Sequence, residues 1–324
     1  MSNLEDRPDE LTCTAAGPGS VEVMTPREVP LGGLRAMTVR RTLPQRGRSL
    51  IGAWCFLDHY GPDDVADSGG MSVAPHPHTG LQTVSWLFEG EIQHRDSAGN
   101  QAMVRPGEVN LMTAGLGISH SEVSTEATTA LHGVQLWVVL PESDRDLGRE
   151  FQHHAASLVS FGDGVEGRVF IGSLAGHTSP ITTRTPLLGA EVTLAEGATW
   201  TIAADAAYEH GVLVDTGKVT FNGSVLERGD LGIVDAGLTE LTVVAAEPTR
   251  VVLLGGTPYD EAIVMWWNFI GRDHDEIVAF RDQWQSRSDR FGEVGGYAGR
   301  LTWLPAPELP GGRLRSRTRH GRAG

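Results

Sequence analysis

The chain has 324 residues, too many for one small hydrophobic core, since single cores stop growing near ~250–300 residues, and two domains are expected. With 40% hydrophobic and 21% charged residues, it has the composition of a globular protein rather than of a disordered or fibrous one. A formal net charge of −15 argues against a polyanion as main partner, because neutralising phosphates needs an excess of Lys and Arg, so no direct nucleic-acid binding is expected.

Residues 1–19 are polar and broken by Pro and Gly, and are expected to be disordered. They hold four acidic residues within the first ten and no apolar run, and no stretch of the chain approaches the ~18–20 apolar residues of a membrane span. Neither export nor membrane insertion is expected. Only Cys13 and Cys55 are present, so no disulfide framework is indicated and a cytoplasmic location fits.

From Val21 onward, short runs of Val, Leu, Thr and aromatic residues alternate with glycine and proline turns, which predicts many short strands. Between His76 and Trp137 the strand signals crowd together, with turns at Gly90, Gly99-Asn100, Pro106-Gly107 and Gly115 to Gly117, the rhythm of an antiparallel barrel or sandwich. Arg105 to Gly115 lines up with Glu227 to Gly237, and the turns at Gly90 and Gly217 repeat one hairpin, so a duplicated β-domain is expected. The polar stretch Glu142 to Gly148 reads as a linker. Ile277, Phe280 and Trp284 recur at helical spacing behind Asp275 and Glu276, which predicts one helix over 275–284. The arginines at 313, 315, 317, 319 and 322 read as a solvated tail. The expected domains are 1–19 disordered, 20–142 the first barrel, 143–290 the second with its helix, and 291–324 a basic flexible tail.

The strongest chemical signal is His76-Pro77-His78, followed 42 residues after His78 by His120-Ser121-Glu122. On an extended strand, residues two apart share a face, so each pair forms a pincer, and two pincers on neighbouring strands can close on one ion. Three imidazoles and one carboxylate suit Fe, Mn, Co, Ni, Cu or Zn. Four protein ligands leave two of six octahedral positions for substrate or O2. His59 and His94 fall at strand ends near the expected barrel mouth and are candidates for its lining. His132, His153, His154, His177, His274 and His320 have no pairing logic, and Met112 and Trp86 read as core. No Walker-type loop, dinucleotide fingerprint or nucleophile elbow is present.

The segments Ala74 to Glu91 and Pro106 to Glu122 resemble the first and second cupin motifs as the pirin family writes them, and Phe56 to Pro62 is also similar to pirins. The resemblance covers about residues 20 to 290, closely in the first half and loosely in the second. It implies an all-β bicupin with two double-stranded β-helix (jelly-roll) barrels in tandem. It further implies one metal per chain, Fe(II) above all, held by His76, His78, His120 and Glu122. The second barrel is expected to lack ligands: Glu209-His210 stands where a first-motif pair could be, but no second-motif histidine follows Gly229-Asp230. Gln82 replaces the glutamate many cupins carry four residues after the second histidine, which bears on the surroundings of the metal.

Two functions follow from the resemblance. One is a quercetin 2,3-dioxygenase-type oxidoreductase acting with O2 on a flavonol or related enol, with Glu122 as catalytic base. The alternative is a non-enzymatic, iron-dependent regulator working through protein partners.

Overall fold

Turn residues with positive φ, such as Gly90, Gly107, Gly217 and Gly229, break the chain into short antiparallel strands. The computed structural model describes residues 19–30 and 38–322. Within them the two helices are Val65–Ser68 and His274–Gln285, and the rest of the regular structure is β. Residues 1–18, with Cys13 and nearly all of the stretch expected to be disordered, lie outside the described residues. No helix among the described residues is long and apolar enough to cross a membrane.

Two barrels repeat one topology. In the first, a seven-stranded sheet runs in the spatial order Glu150–Ala155, Glu108–Thr113, Leu81–Glu89, Ala130–Val139, Trp54–Asp64, Thr38–Leu43, Arg27–Pro30. It faces a four-stranded sheet in the order Ser72–His78, Ile118–Ser124, Ile92–Asp96, Gln101–Val104. In the second, Glu22–Met24, Leu231–Val234, Glu209–Thr216, Thr249–Gly256, Leu187–Leu194, Val165–Ile171 and Val159–Gly162 form the large sheet. Thr199–Ala203, Glu240–Ala245, Val219–Phe221 and Ser224–Leu226 form the small one.

The expected division at 142/143 is crossed at both edges. Glu22–Met24 pairs with Leu231–Val234 of the second barrel, and Glu150–Ala155 pairs with Glu108–Thr113 of the first. Each large sheet thus has one edge covered by a strand from the other half of the chain, which removes an unpaired edge.

The large sheets stand back to back. Along Glu209–Thr216, Val212 and Val214 fill the second barrel while Leu213 joins the layer between the barrels. That layer takes Trp54, Val84, Trp86 and Leu136 from one side and Phe170, Leu213, Val252 and Leu254 from the other. Trp54 Nε1 donates to Gly255 O at 3.1 Å, and Trp86 Nε1 donates to Glu191 Oε2 at 2.9 Å while the indole stacks on Phe170. At Gly52, φ is +50° and a Cβ would meet Gly256 Cα at 2.7 Å, so the close approach of the two barrels requires glycine there.

The polar part of this contact centres on Asp215, whose side chain is fully buried. Its Oδ1 accepts hydrogen bonds from His59 Nε2, at 2.7 Å, and from His132 Nε2, and its Oδ2 accepts from Arg250 at 3.1 Å. His59 is therefore not a lining residue of the barrel mouth, and His132, which lacked pairing logic in the sequence, gains it from a residue 83 positions away.

The helix His274–Gln285 starts where Asp273 accepts from Glu276 N at 2.9 Å, with Asp275 and Glu276 in its first turn. It buries Ile277, Phe280 and Trp284. The expectation of a flexible tail from 291 fails over residues 291–322. Phe291 and Ala306 are buried beside the helix, Arg317 pairs with Ile263, Ser49 N donates to Arg319 O, and Arg319 binds Glu209. The arginine pattern hid acidic and backbone partners that only the fold supplies.

Asp215→Ala would leave two buried imidazoles without their acceptor and Arg250 with only Glu191, and is predicted to cost about 3–5 kcal/mol in a denaturant titration at pH 7. Burial alone would raise the Asp215 carboxyl, but the hydrogen bonds from His132 and His59 outweigh it and hold it well below the usual carboxylate range. Burial likewise lowers His59, against the pull of Asp215. Both shifts are depressions, so their stabilisation is complete above the unfolded values, about 6.5 for His and 3.9 for Asp, and is lost as pH falls through them. Wild-type stability should decline from pH 7 to pH 3, and the Asp215→Ala variant should lose its share of that slope below pH 4.

Candidate metal centre

The four candidate ligands all lie on the small sheet of the first barrel. His76 and His78 lie on Ser72–His78 and His120 and Glu122 on the neighbouring Ile118–Ser124, with His76 directly opposite His120. All four side chains are at least nine-tenths buried. Ring centroids are 4.3 Å apart for His76 and His120, 4.9 Å for His78 and His120, and 5.1 Å for His76 and His78.

Hydrogen bonds at the other ring nitrogens orient these imidazoles. His76 Nδ1 lies 2.9 Å from Ala74 O and His78 Nδ1 lies 3.2 Å from Asn268 O. A carbonyl only accepts, so in both rings the proton sits on Nδ1 and Nε2 carries a bare lone pair. His120 Nδ1 faces His94 Nδ1 at 3.4 Å, and its Nε2 lies 3.0 Å from His78 Nε2. Two nitrogens about 2.1 Å from one ion and at right angles would stand about 3.0 Å apart, so the spacing is that of neighbouring ligands on a single metal. The donor set fits a divalent transition metal.

Burial lowers His76 to about 4 and holds His78 and His120 well below the ordinary imidazole value. The rings are therefore neutral, as ligation requires. Burial also raises the Glu122 carboxyl, opposed by His94 and by a hydrogen bond from Ser85.

The four residues singled out by their spacing do not form one tight group. Ligand atoms of His76, His78 and His120 lie within 4.8 Å of one another, whereas Glu122 groups at that distance with His120 and His94. Ser85 Oγ is 3.1 Å from Glu122 Oε1 and 3.1 Å from Gln135 Oε1, which positions the carboxylate at the side of the histidine cluster.

These groups open into a cavity of about 410 Å³. Phe56 and Trp137, stacked with centroids 4.0 Å apart, line it together with Arg41, Asp58 and Gln135. Arg41 forks onto Asp58 at 2.6 and 2.7 Å. Part of the wall comes from beyond the second barrel: Met265, Trp267 and Asn268 of the hairpin Val264–Gly271, and Leu304. Sequence reasoning missed this wall, because no local pattern ties residues 265–304 to His78. It also missed Asp96, Ser85 and Gln135. The pair His94-Arg95-Asp96 was a readable signal, since it has the same two-residue spacing as the ligand pairs.

Other expectations resolve as follows. Gln82 donates to Thr113 Oγ1 at 2.9 Å and is not among the cavity-lining residues, so it does not adjoin the cluster. Met112 and Trp86 are core residues. In the second barrel, Trp200 and Ile202 face Val243 and Leu241 on the strands equivalent to those of the ligand pairs, so apolar side chains fill the place of the cluster. His210 is buried apart from them. His59, His132 and Asp215 also lie within 4.8 Å of one another, but Arg40 Nε donates to His59 Nδ1 and Arg250 binds Asp215, and guanidinium groups so close oppose a bound cation.

Comparison with known proteins agrees with this architecture. The Pirin family model matches residues 36–138 and the model for the pirin C-terminal cupin domain matches residues 189–292. A Pseudomonas aeruginosa protein whose name proposes a quercetin 2,3-dioxygenase is 39% identical over 313 residues, 96% of this chain and 98% of that protein. A pirin-like protein of Caulobacter vibrioides is 35% identical over 76% of this chain and 88% of its own length. The crystal structure of an Acinetobacter baumannii quercetin 2,3-dioxygenase superposes with a TM-score of 0.86 at 37% identity, covering 91% of this chain and 97% of that one.

The cluster geometry predicts that a divalent ion such as Co2+, at 100 times its Kd, stabilises the protein by about 2.7 kcal/mol, with the gain reversed by a chelator. His120→Ala should abolish the shift in thermal unfolding, while His210→Ala should retain it.

Proposed function

Since the chain belongs to the pirin family, we propose that it is a metal-dependent dioxygenase of the quercetin 2,3-dioxygenase type, with a flavonol or related enol as substrate. One Fe(II) per chain would be held by His76, His78 and His120, with Glu122 completing the set. The carrying observation is the convergence of three imidazoles, two of them with Nε2 left bare by backbone carbonyls, beside a buried carboxylate in an aromatic-lined cavity.

Bound there, Fe(II) supplies Lewis acidity and one-electron chemistry towards O2. The protein's own groups do the rest. Glu122 takes the proton of the substrate's enolic hydroxyl, and burial, which raises its carboxyl, favours that transfer. Ser85 keeps the carboxylate from turning away. Trp137 and Trp267 offer flat apolar surfaces to an aromatic ring, and the cavity volume lies within the ~300–1,000 Å³ usual for small-molecule sites. Gln135 and Arg41 offer donors to hydroxyl and carbonyl groups on the ring. In the net reaction two carbon–carbon bonds of the flavonol heterocycle break, the oxygen atoms of O2 enter the ester product and carbon monoxide leaves.

Protein loaded anaerobically with Fe(II) should consume O2 and release carbon monoxide when given quercetin. Glu122→Gln, with metal content measured alongside, should turn over about 10²–10⁴ times more slowly. Fully loaded wild-type protein that consumes no O2 with flavonols would contradict the enzyme reading and turn the search to protein partners sensitive to the metal.

A further inference from the structure

Two residues beside the cluster form a hydrogen-bonded chain that ends at a ligand. On the strands Ile92–Asp96 and Ile118–Ser124, His94 is paired with Glu122 and Asp96 with His120, so the four side chains make a two-by-two grid. Asp96 Oδ2 lies 3.3 Å from His94 Nε2, and His94 Nδ1 lies 3.4 Å from His120 Nδ1. The Asp96 side chain is fully buried and anchored: Oδ1 accepts from the backbone of Ala98 and Asn100 at 2.9 and 3.0 Å, and Oδ2 accepts from Asn100 Nδ2 at 2.9 Å. Phe151, on the strand contributed by the second half of the chain, stacks on the His94 ring at 4.9 Å and fixes its plane.

We propose, resting on the metal reading above, that His94 and Asp96 are positioning residues that set the tautomer of His120 and thereby the affinity and potential of the metal centre. A carboxylate cannot donate, so Asp96 holds the His94 proton on Nε2 and leaves His94 Nδ1 as an acceptor. That acceptor holds the His120 proton on Nδ1, and His120 Nε2 is left bare towards His78. With the carboxylate gone, His94 is free to carry its proton on Nδ1. The His120 proton then moves to Nε2, where it blocks ligation. The chain also passes part of the Asp96 charge to the ligand, which favours the more highly charged metal ion.

The test is Co2+ binding, by competition with a chelator and by visible absorption, to the full-length wild type, Asp96→Asn, His94→Leu and His94→Gln. Asp96→Asn and His94→Leu are expected to bind 10–100-fold more weakly. His94→Gln is expected to recover most of the affinity, because its amide oxygen can accept from His120 Nδ1. The Fe(III)/Fe(II) potential of Asp96→Asn should move to more positive values. Thermal unfolding of the metal-free proteins separates a loss of fold from a loss of ligation, and if His94→Leu does not fold, Asp96→Asn and His94→Gln decide. Wild-type affinity, absorption and potential in variants that fold normally would overturn the proposal while leaving the metal centre intact. A wild type that takes up no Co2+ would remove the metal reading and this proposal with it.

Discussion

The candidate site depends on what the Nδ1 atoms of three histidines do. An imidazole is a useful ligand only when its proton is held elsewhere; here Ala74 O and Asn268 O hold it on two rings, and His94 Nδ1 faces Nδ1 of the third. The strand pairing of His76 with His120 brings the rings together, and those contacts decide which nitrogens face each other between His78 and His120 at 3.0 Å. Each contact comes from a different part of the chain. Ala74 lies on the same strand as His76, His94 on the next strand of the small sheet, and Asn268 beyond the second barrel.

The second barrel makes sense in that light. It has the same strand order as the first, yet Trp200, Ile202, Leu241 and Val243 close its interior with apolar contacts instead of a histidine cluster. Its contribution lies outside itself. It provides half of the apolar layer that backs the first barrel, the Asp215 carboxylate that receives His59 and His132, and the chain that leads to the cavity wall at Met265, Trp267 and Leu304. A duplicated domain without the histidine cluster thus serves as a brace for the one that has it.

Much of this was legible in the sequence where local spacing carried the signal. Alternation on strands placed His76 and His78, and His120 and Glu122, on shared faces, and the glycine turns revealed the duplication. The helix was readable from Ile277, Phe280 and Trp284. Hidden were the contacts made across long separations: the pairing of Glu22–Met24 with the second barrel, the carbonyl of Asn268 on His78, and the packing of residues 291–322, whose arginines suggest solvent until Glu209 and the backbone at Ile263 and Ser49 are brought beside them. Asp96 was half legible: its two-residue spacing from His94 was there to read, and the cross-strand register with His120 gives that pair its meaning.

The most direct measurement is anomalous scattering from a crystal of the protein loaded with one equivalent of Fe(II) or Co2+. A single peak bound by Nε2 of His76, His78 and His120, with the Glu122 carboxylate turned towards it, is the expected result. A peak between His59, His132 and Asp215, or in the second barrel, or none at full loading, would contradict it.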